Sequence, residues 1–148
     1  MLEHPAPWWY RLLSRLFPSR CREIPEAQDP SRILLRQFAL VKRRAYLQQF
    51  AGPEDERFFH SHPFRRVIAI GLWGGYTEHR LNGPAKRRRA PYFYTMDASV
   101  FHRVNSVTPG HTAIFFGVGK RDDDLKNYVQ QPERTPWDKH IRKFVARI

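Results

Sequence analysis

The stretch His60-Ser61-His62-Pro63, with His102 further along the chain, holds the residues best suited to chemistry. Histidines at i and i+2 on an extended strand project from the same face. A third imidazole on a neighbouring strand could complete a three-nitrogen cradle for a divalent metal. Imidazole suits Fe, Zn, Cu and Ni, and coordination positions left open are where substrate can enter. The other reading of His60 and His62 is a surface-strand pair with structural hydrogen bonds. For His102 it is a core histidine satisfied by a backbone carbonyl. His102 shares its strand face with Val100 and Val104, an apolar face that suits either reading.

Glu78 could ligate a metal, or act as acid or base beside one. His79 is adjacent on the strand and faces the opposite way. Arg65 and Arg66 alternate across a strand, so one is expected to face inward. There a guanidinium could clamp a carboxylate or phosphate with two parallel hydrogen bonds. Arg66 is the catalytic candidate of the two, and both are candidates for anion binding. Arg103, on the face opposite His102, and Tyr76 are further substrate-binding candidates. Tyr76, Tyr92 and Tyr94 could line a pocket or pack the core. His111 follows Pro109-Gly110 and reads as a turn residue, and His4 and His140 lie away from these motifs.

These groups need a scaffold. The 148 residues are enough for one domain with a substantial core. Residues 1–20 read as an amphipathic helix: Trp8, Trp9, Leu12, Leu13, Leu16 and Phe17 recur at helical spacing around Arg11 and Arg15, and Pro18 closes the segment. Such a helix docks on its own domain, on a partner, or on a membrane surface. Residues 21–31, with Pro25 and Pro30, read as a connector. Residues 1–31 are thus expected to form a helix and connector, and 32–148 a β domain with a short closing segment. Within it, strand-length runs lie at 33–40, 46–50, 58–62, 67–73, 76–80, 91–95, 99–104 and 111–118. Gly74-Gly75 reads as a hairpin turn, and Lys86-Arg87-Arg88-Arg89 as a basic loop. So many short strands between turn residues predict an all-β sandwich or barrel.

The order of these segments resembles small cupin-type proteins of bacteria and phages. The resemblance rests on Tyr46-Leu47-Gln48-Gln49-Phe50, the acidic turn Glu54-Asp55-Glu56-Arg57, and Phe58-Phe59-His60-Ser61-His62-Pro63. Gly74-Gly75-Tyr76-Thr77-Glu78, Ala98-Ser99-Val100-Phe101-His102-Arg103-Val104, the strand from Thr112 to Arg121, and Trp137 follow in order. It spans roughly residues 33–140 and implies a cupin-like double-stranded β-helix barrel behind the N-terminal amphipathic helix. It also implies one divalent metal held by His60 and His62 of a first motif and His102 of a second. Many cupins carry a glutamate shortly after the first pair; here Phe64-Arg65-Arg66-Val67 has no acid. Glu78 could supply a carboxylate from the next strand, or three histidines and water could suffice.

The expected function is non-haem metal chemistry on a small or nucleotide- or sugar-linked anionic substrate. Fe(II) with dioxygen is favoured, because an incomplete ligand shell leaves room for oxygen and substrate. Zn, Mn and Ni are other metals for such a site, and sugar isomerisation is a second reaction for the same fold. The rival is a non-catalytic scaffold. A net charge of +12, from 26 Lys and Arg against 14 Asp and Glu, could meet nucleic acid or an acidic assembly, with Lys86–Arg89 as one contact. A homodimer through barrel edges is also expected.

Other classes are excluded. The single cysteine, Cys21, precludes an internal disulfide and a Cys-x-x-Cys zinc site. No Gly-rich phosphate loop is present, and Cys21 stands apart from the histidines, which argues against a Cys-His nucleophile. No run is long enough to span a membrane, and no apolar signal core opens the chain, so a cytoplasmic protein is expected.

Overall fold

The computed structural model describes residues 4–25, 31–51, 59–81, 83–122, 127–130 and 133–136, with backbone alone at 59–60, 127–130 and 133–136. One helix, α1 (Trp8–Leu16), leads through a 3₁₀ turn into β1 (Cys21–Pro25). There follow β2 (Ile33–Val41), β3 (Ala45–Phe50), β4 (Phe59–His60), β5 (Phe64–Trp73), β6 (Gly75–Arg80) and β7 (Lys86–Arg89). β8 (Tyr92–Asp97), β9 (His102–Asn105), β10 (Thr112–Arg121), β11 (Asn127–Gln130) and β12 (Glu133–Pro136) complete the described chain. They form two six-stranded sheets, ordered β1-β2-β3-β10-β5-β8 and β12-β11-β4-β9-β6-β7. Every strand pairing is antiparallel.

Alternating residues bring the two inner faces together. Phe50 of β3 packs with Tyr76 of β6, Val104 of β9 and Val107, joined by Leu35, Tyr92 and Tyr94. Phe64 and Val67 of β5 pack with Met96 of β8, joined by Tyr94, Val100 and Phe115. Tyr94 belongs to both groups and links them.

Three expectations are corrected. Residues 21–25 are an edge strand of the first sheet, not part of a connector. Polar pairs hold it: Arg36 reaches Glu23 at 3.1 Å and Arg22 reaches the Gln37 side chain at 2.7 Å, so no apolar alternation marks it. Gly74-Gly75 is not a hairpin but the crossing from β5 in one sheet to β6 in the other. The carbonyls of the two glycines accept hydrogen bonds from the Ala90 and Thr108 amides, both at 2.8 Å, which draws the chain away from β5. Lys86–Arg89 is not a loop but a strand, paired from Gly75↔Arg89 to Glu78↔Lys86. A cationic strand at a sheet edge resists pairing with other chains.

The helix docks on β1 and β2 through its buried Tyr10, and Phe17 meets Phe38 at 6.3 Å. Its Trp8, Leu12 and Leu16 remain exposed. No helix among the described residues is long and apolar enough to cross a membrane. The closing segment expected after Trp137 lies outside the described residues.

Candidate functional site

The site is assembled by β4, β6 and β9, side by side in the second sheet. The backbone of His60 stands directly opposite His102, and on the far side of β9, Val104 stands opposite Glu78 and His102 opposite Arg80. Alternation along β6 turns Tyr76 and Glu78 inward; along β9 it turns His102 and Val104 inward. Glu78 and His102 therefore meet as diagonal neighbours, with Nδ1 of His102 3.4 Å from Oε1 of Glu78. The other nitrogen of His102, Nε2, lies 2.9 Å from Nε2 of His62. The His62 ring packs on Phe115 at 4.9 Å, which reaches across from the other sheet.

Glu78 is fully buried. Arg88 donates to its Oε2 from Nη2 at 2.6 Å and from Nε at 3.1 Å, and Arg80 approaches Oε1 at 3.4 Å. Burial opposes the charge, but hydrogen bonds and charge from His102 and Arg88 outweigh it and hold the carboxyl down at about 2. Glu78 is thus a fixed anion, and it favours a proton on Nδ1 of His102, leaving Nε2 to face His62.

A second polar group adjoins the first. The Arg88 guanidinium lies 4.0 Å over the Tyr94 ring, and the Tyr94 hydroxyl is hydrogen-bonded to that of Tyr76. Tyr92 donates to Nε2 of His111 at 3.0 Å, because Nδ1–H of His111 is committed to the Trp73 carbonyl at 2.6 Å. Burial pushes the His111 pKa down, with the Trp73 carbonyl acting the other way. Burial pushes Tyr94 up to about 12 and raises Tyr76 and Tyr92 as well, so all three phenols keep their protons. A polar spine thus runs through the interior from His62 to His111.

No protein-family model matches this chain, and no curated protein is similar to it in sequence. Solved structures are similar in fold. They include the nucleoside dehydratase Pac13, itself described as a β-barrel, with TM-score 0.51 and 9% identity over 76% of this chain and 87% of that one. They also include two Streptomyces Pac13 variants with uridine. One has a histidine substituted (TM-score 0.51, 87% of that chain covered) and the other a tyrosine (TM-score 0.52, 86% covered); both are 9% identical over 76% of this chain. The fold is a cupin-like β-barrel.

The two Nε2 atoms of His62 and His102 stand 2.9 Å apart, a hydrogen-bond separation. Two nitrogens on one tetrahedral ion at bonds of about 2.0–2.1 Å stand about 3.3 Å apart, so a small opening of the pair would admit an ion. A ligating histidine commonly directs its other nitrogen at a carboxylate, as His102 does at Glu78. Among the described residues no three His, Cys, Asp or Glu side chains are grouped to hold a metal. The His60 side chain lies outside them.

The remaining candidates fall elsewhere. Glu78 sits beside the histidine pair but at the far nitrogen of His102, where it positions a ring. The expectation that Arg65 or Arg66 faces inward is corrected: both are exposed, and Arg66 pairs with Asp97 at 3.1 Å. Phe64 and Val67 take the inward places, because the β5–β10 register shifts at this point. Arg103 is half-buried and on the other face of β9 from His102. Tyr76 is inward and buried. Sequence reasoning missed Arg88 and His111. Alternation could have found His111, which precedes the buried Ala113 by two. Arg88 stands opposite Tyr76 on the inner face through a pairing register that its own run of cations does not reveal. His111 does close a turn, its amide donating to the Thr108 carbonyl at 2.9 Å, and it is fully buried as well.

Proposed function

We propose that this cupin-like barrel is an enzyme that carries one divalent metal on His62 and His102, with His60 as the third ligand, and acts on a small, uncharged polar substrate of the nucleoside or sugar type. The observation that carries the reading is the convergence of two Nε2 atoms, one from a ring anchored to a buried carboxylate. Fe(II) remains the favoured ion, with Zn, Mn and Ni as alternatives. Once bound, such an ion would polarise a substrate oxygen and lower its pKa. Glu78, itself held by Arg88, faces the His102 ring. Tyr92 is spent on His111, and the Tyr76–Tyr94 pair leaves one phenol proton to donate to a hydroxyl or carbonyl group. Arg88, the inward guanidinium, is already neutralised by Glu78, which favours an uncharged substrate over the anionic one expected from sequence.

A second reading is metal-free acid–base catalysis, in which Glu78, His102 and His62 act as one proton-sharing chain. The 2.9 Å approach of the two rings is itself a hydrogen bond, and a structural neighbour is a nucleoside dehydratase. Elemental analysis and metal titration separate the two. Protein purified without chelator is expected to hold about one metal per chain, lost in His62→Ala and in His102→Ala variants that keep their circular dichroism. Wild-type protein that neither carries nor takes up Fe(II) or Zn(II) sinks the metal reading. Uridine binding that survives in that metal-free protein and disappears in His62→Ala would leave the second reading standing.

A further inference from the structure

At one end of the first sheet, β2 turns into β3 through Lys42-Arg43-Arg44. The turn is closed by the Arg44 amide donating to the Val41 carbonyl at 3.1 Å. It is fastened to β10 by the Gly117 amide donating to the Arg44 carbonyl at 2.8 Å. β10 continues past this turn, and its register against β5 shifts between Val118 and Arg121. Gly119 lies there at φ +88, a conformation other residues rarely adopt. A bulge of this kind re-aims the side chains that follow it, here Lys120 and Arg121.

The outcome is a recess of about 280 Å³ lined by Lys42, Arg43, Arg44, Lys120 and Arg121. All five are cationic and no acid lines the space. Lys42, Arg43, Arg44 and Lys120 have no carboxylate partner among the described residues. The exposed Arg65 and Arg66 open the adjoining strand, and among the described residues the acids at these strand ends are Asp97, bound to Arg66, and Asp122. Like charges so close repel one another, and the repulsion falls when a polyanion enters.

The backbone adds an independent sign. Arg43 sits at φ 60, the left-handed region, which disfavours a side chain and which glycine adopts freely. A turn that served only to reverse the chain would use glycine or asparagine there. Strain of this sort gathers at functional positions, and here it places a guanidinium at the recess.

We propose that this recess binds a run of closely spaced phosphates. No aromatic side chain lines it, so nothing is offered for stacking on a base, and recognition is of charge and spacing. The site is separate from the histidine pair and does not depend on the reading of that pair.

Two probes distinguish the sources of such a ligand: inorganic tripolyphosphate, read by calorimetry, and a labelled oligothymidine, read by fluorescence anisotropy across a salt series. The test variant is Arg43→Gly with Lys120→Gln; Arg43→Gly also relieves the strained turn, so the protein is expected to melt no lower than wild type. The expected result is that at least one probe binds and that the double variant weakens it about tenfold or more. If the oligonucleotide binds, the slope of log affinity against log salt is expected to flatten by about one to two. Tripolyphosphate alone binding identifies a free polyphosphate group, and tight oligonucleotide binding identifies a nucleic-acid backbone; both support the site. Arg11→Gln with Arg15→Gln, on the helix, serves as the control and leaves affinity unchanged. Binding of neither probe at low salt overturns the proposal, as does equal weakening by the control pair.

Discussion

Glu78 is the residue on which the interior polar groups depend. It is fully buried, yet it remains an anion because Arg88 and His102 face it from two strands. Removing one partner of a buried ion pair costs far more than the pair itself contributes, since the other charge is left stranded. Glu78→Gln keeps the size and removes the charge, so Arg88 loses its anion with nowhere to relocate. The expected loss is about 3–5 kcal/mol in urea unfolding, with Glu78→Asp intermediate. The contrast is Arg66→Gln, which breaks the exposed pair with Asp97 and is expected to cost about 0–1 kcal/mol. Equal losses at the two positions would show that Glu78 is not held by a buried pair. Glu78 was legible as a candidate from its place after Gly74-Gly75-Tyr76. Its partner Arg88 was hidden in a basic run, because four consecutive cations carry no mark of which one turns inward.

At the scale of elements, β8 and β5 set the position of the phenols. Tyr92 stands opposite Gly71, and its ring lies across that glycine so closely that an added Cβ would fall 2.1 Å from a ring carbon. Gly71 is therefore a floor for the ring that presents its hydroxyl to His111. Gly71→Ala is expected to displace Tyr92 and destabilise the protein by about 1–3 kcal/mol, the usual cost of overpacking. Tyr92→Ala, which clears the space, should make a second Gly71→Ala change nearly neutral. A double-mutant cycle measures this coupling, and additive losses would contradict the packing. The strands themselves were readable from alternation and turn residues. β1, β7, β11 and β12 were not, because their own residues are mostly polar or charged and show no apolar period.

For the whole molecule, the two sheets enclose imidazoles as well as apolar side chains, and this makes stability depend on pH. His111 is buried as a neutral ring, its pKa lowered chiefly by burial. In the unfolded chain it takes up a proton near pH 6.5; in the fold it does so only at lower pH. Its contribution is present in full above about pH 6.5 and declines as the pH falls from there toward the folded value. His111→Gln retains an acceptor for Tyr92 and a donor for Trp73 but cannot titrate. Urea unfolding at several pH values between about 7.5 and 5 should show a shallower loss of stability in the variant than in wild type. Parallel profiles would remove His111 as a cause.

The sequence alone established the all-β class and most of the central strands, because alternation is local and survives in one dimension. The His-x-His spacing pointed to His60 with His62, whereas the fold brings His62 to His102. Tertiary structure decided which charges meet. Whether Arg66 or Arg88 faced inward, whether Glu78 reached a metal position or the far side of His102, and whether five scattered cations formed one recess all depend on sheet order and register. A shift of register by one residue moves a side chain to the other face, and pairing between distant strands leaves no trace in the spacing of either one.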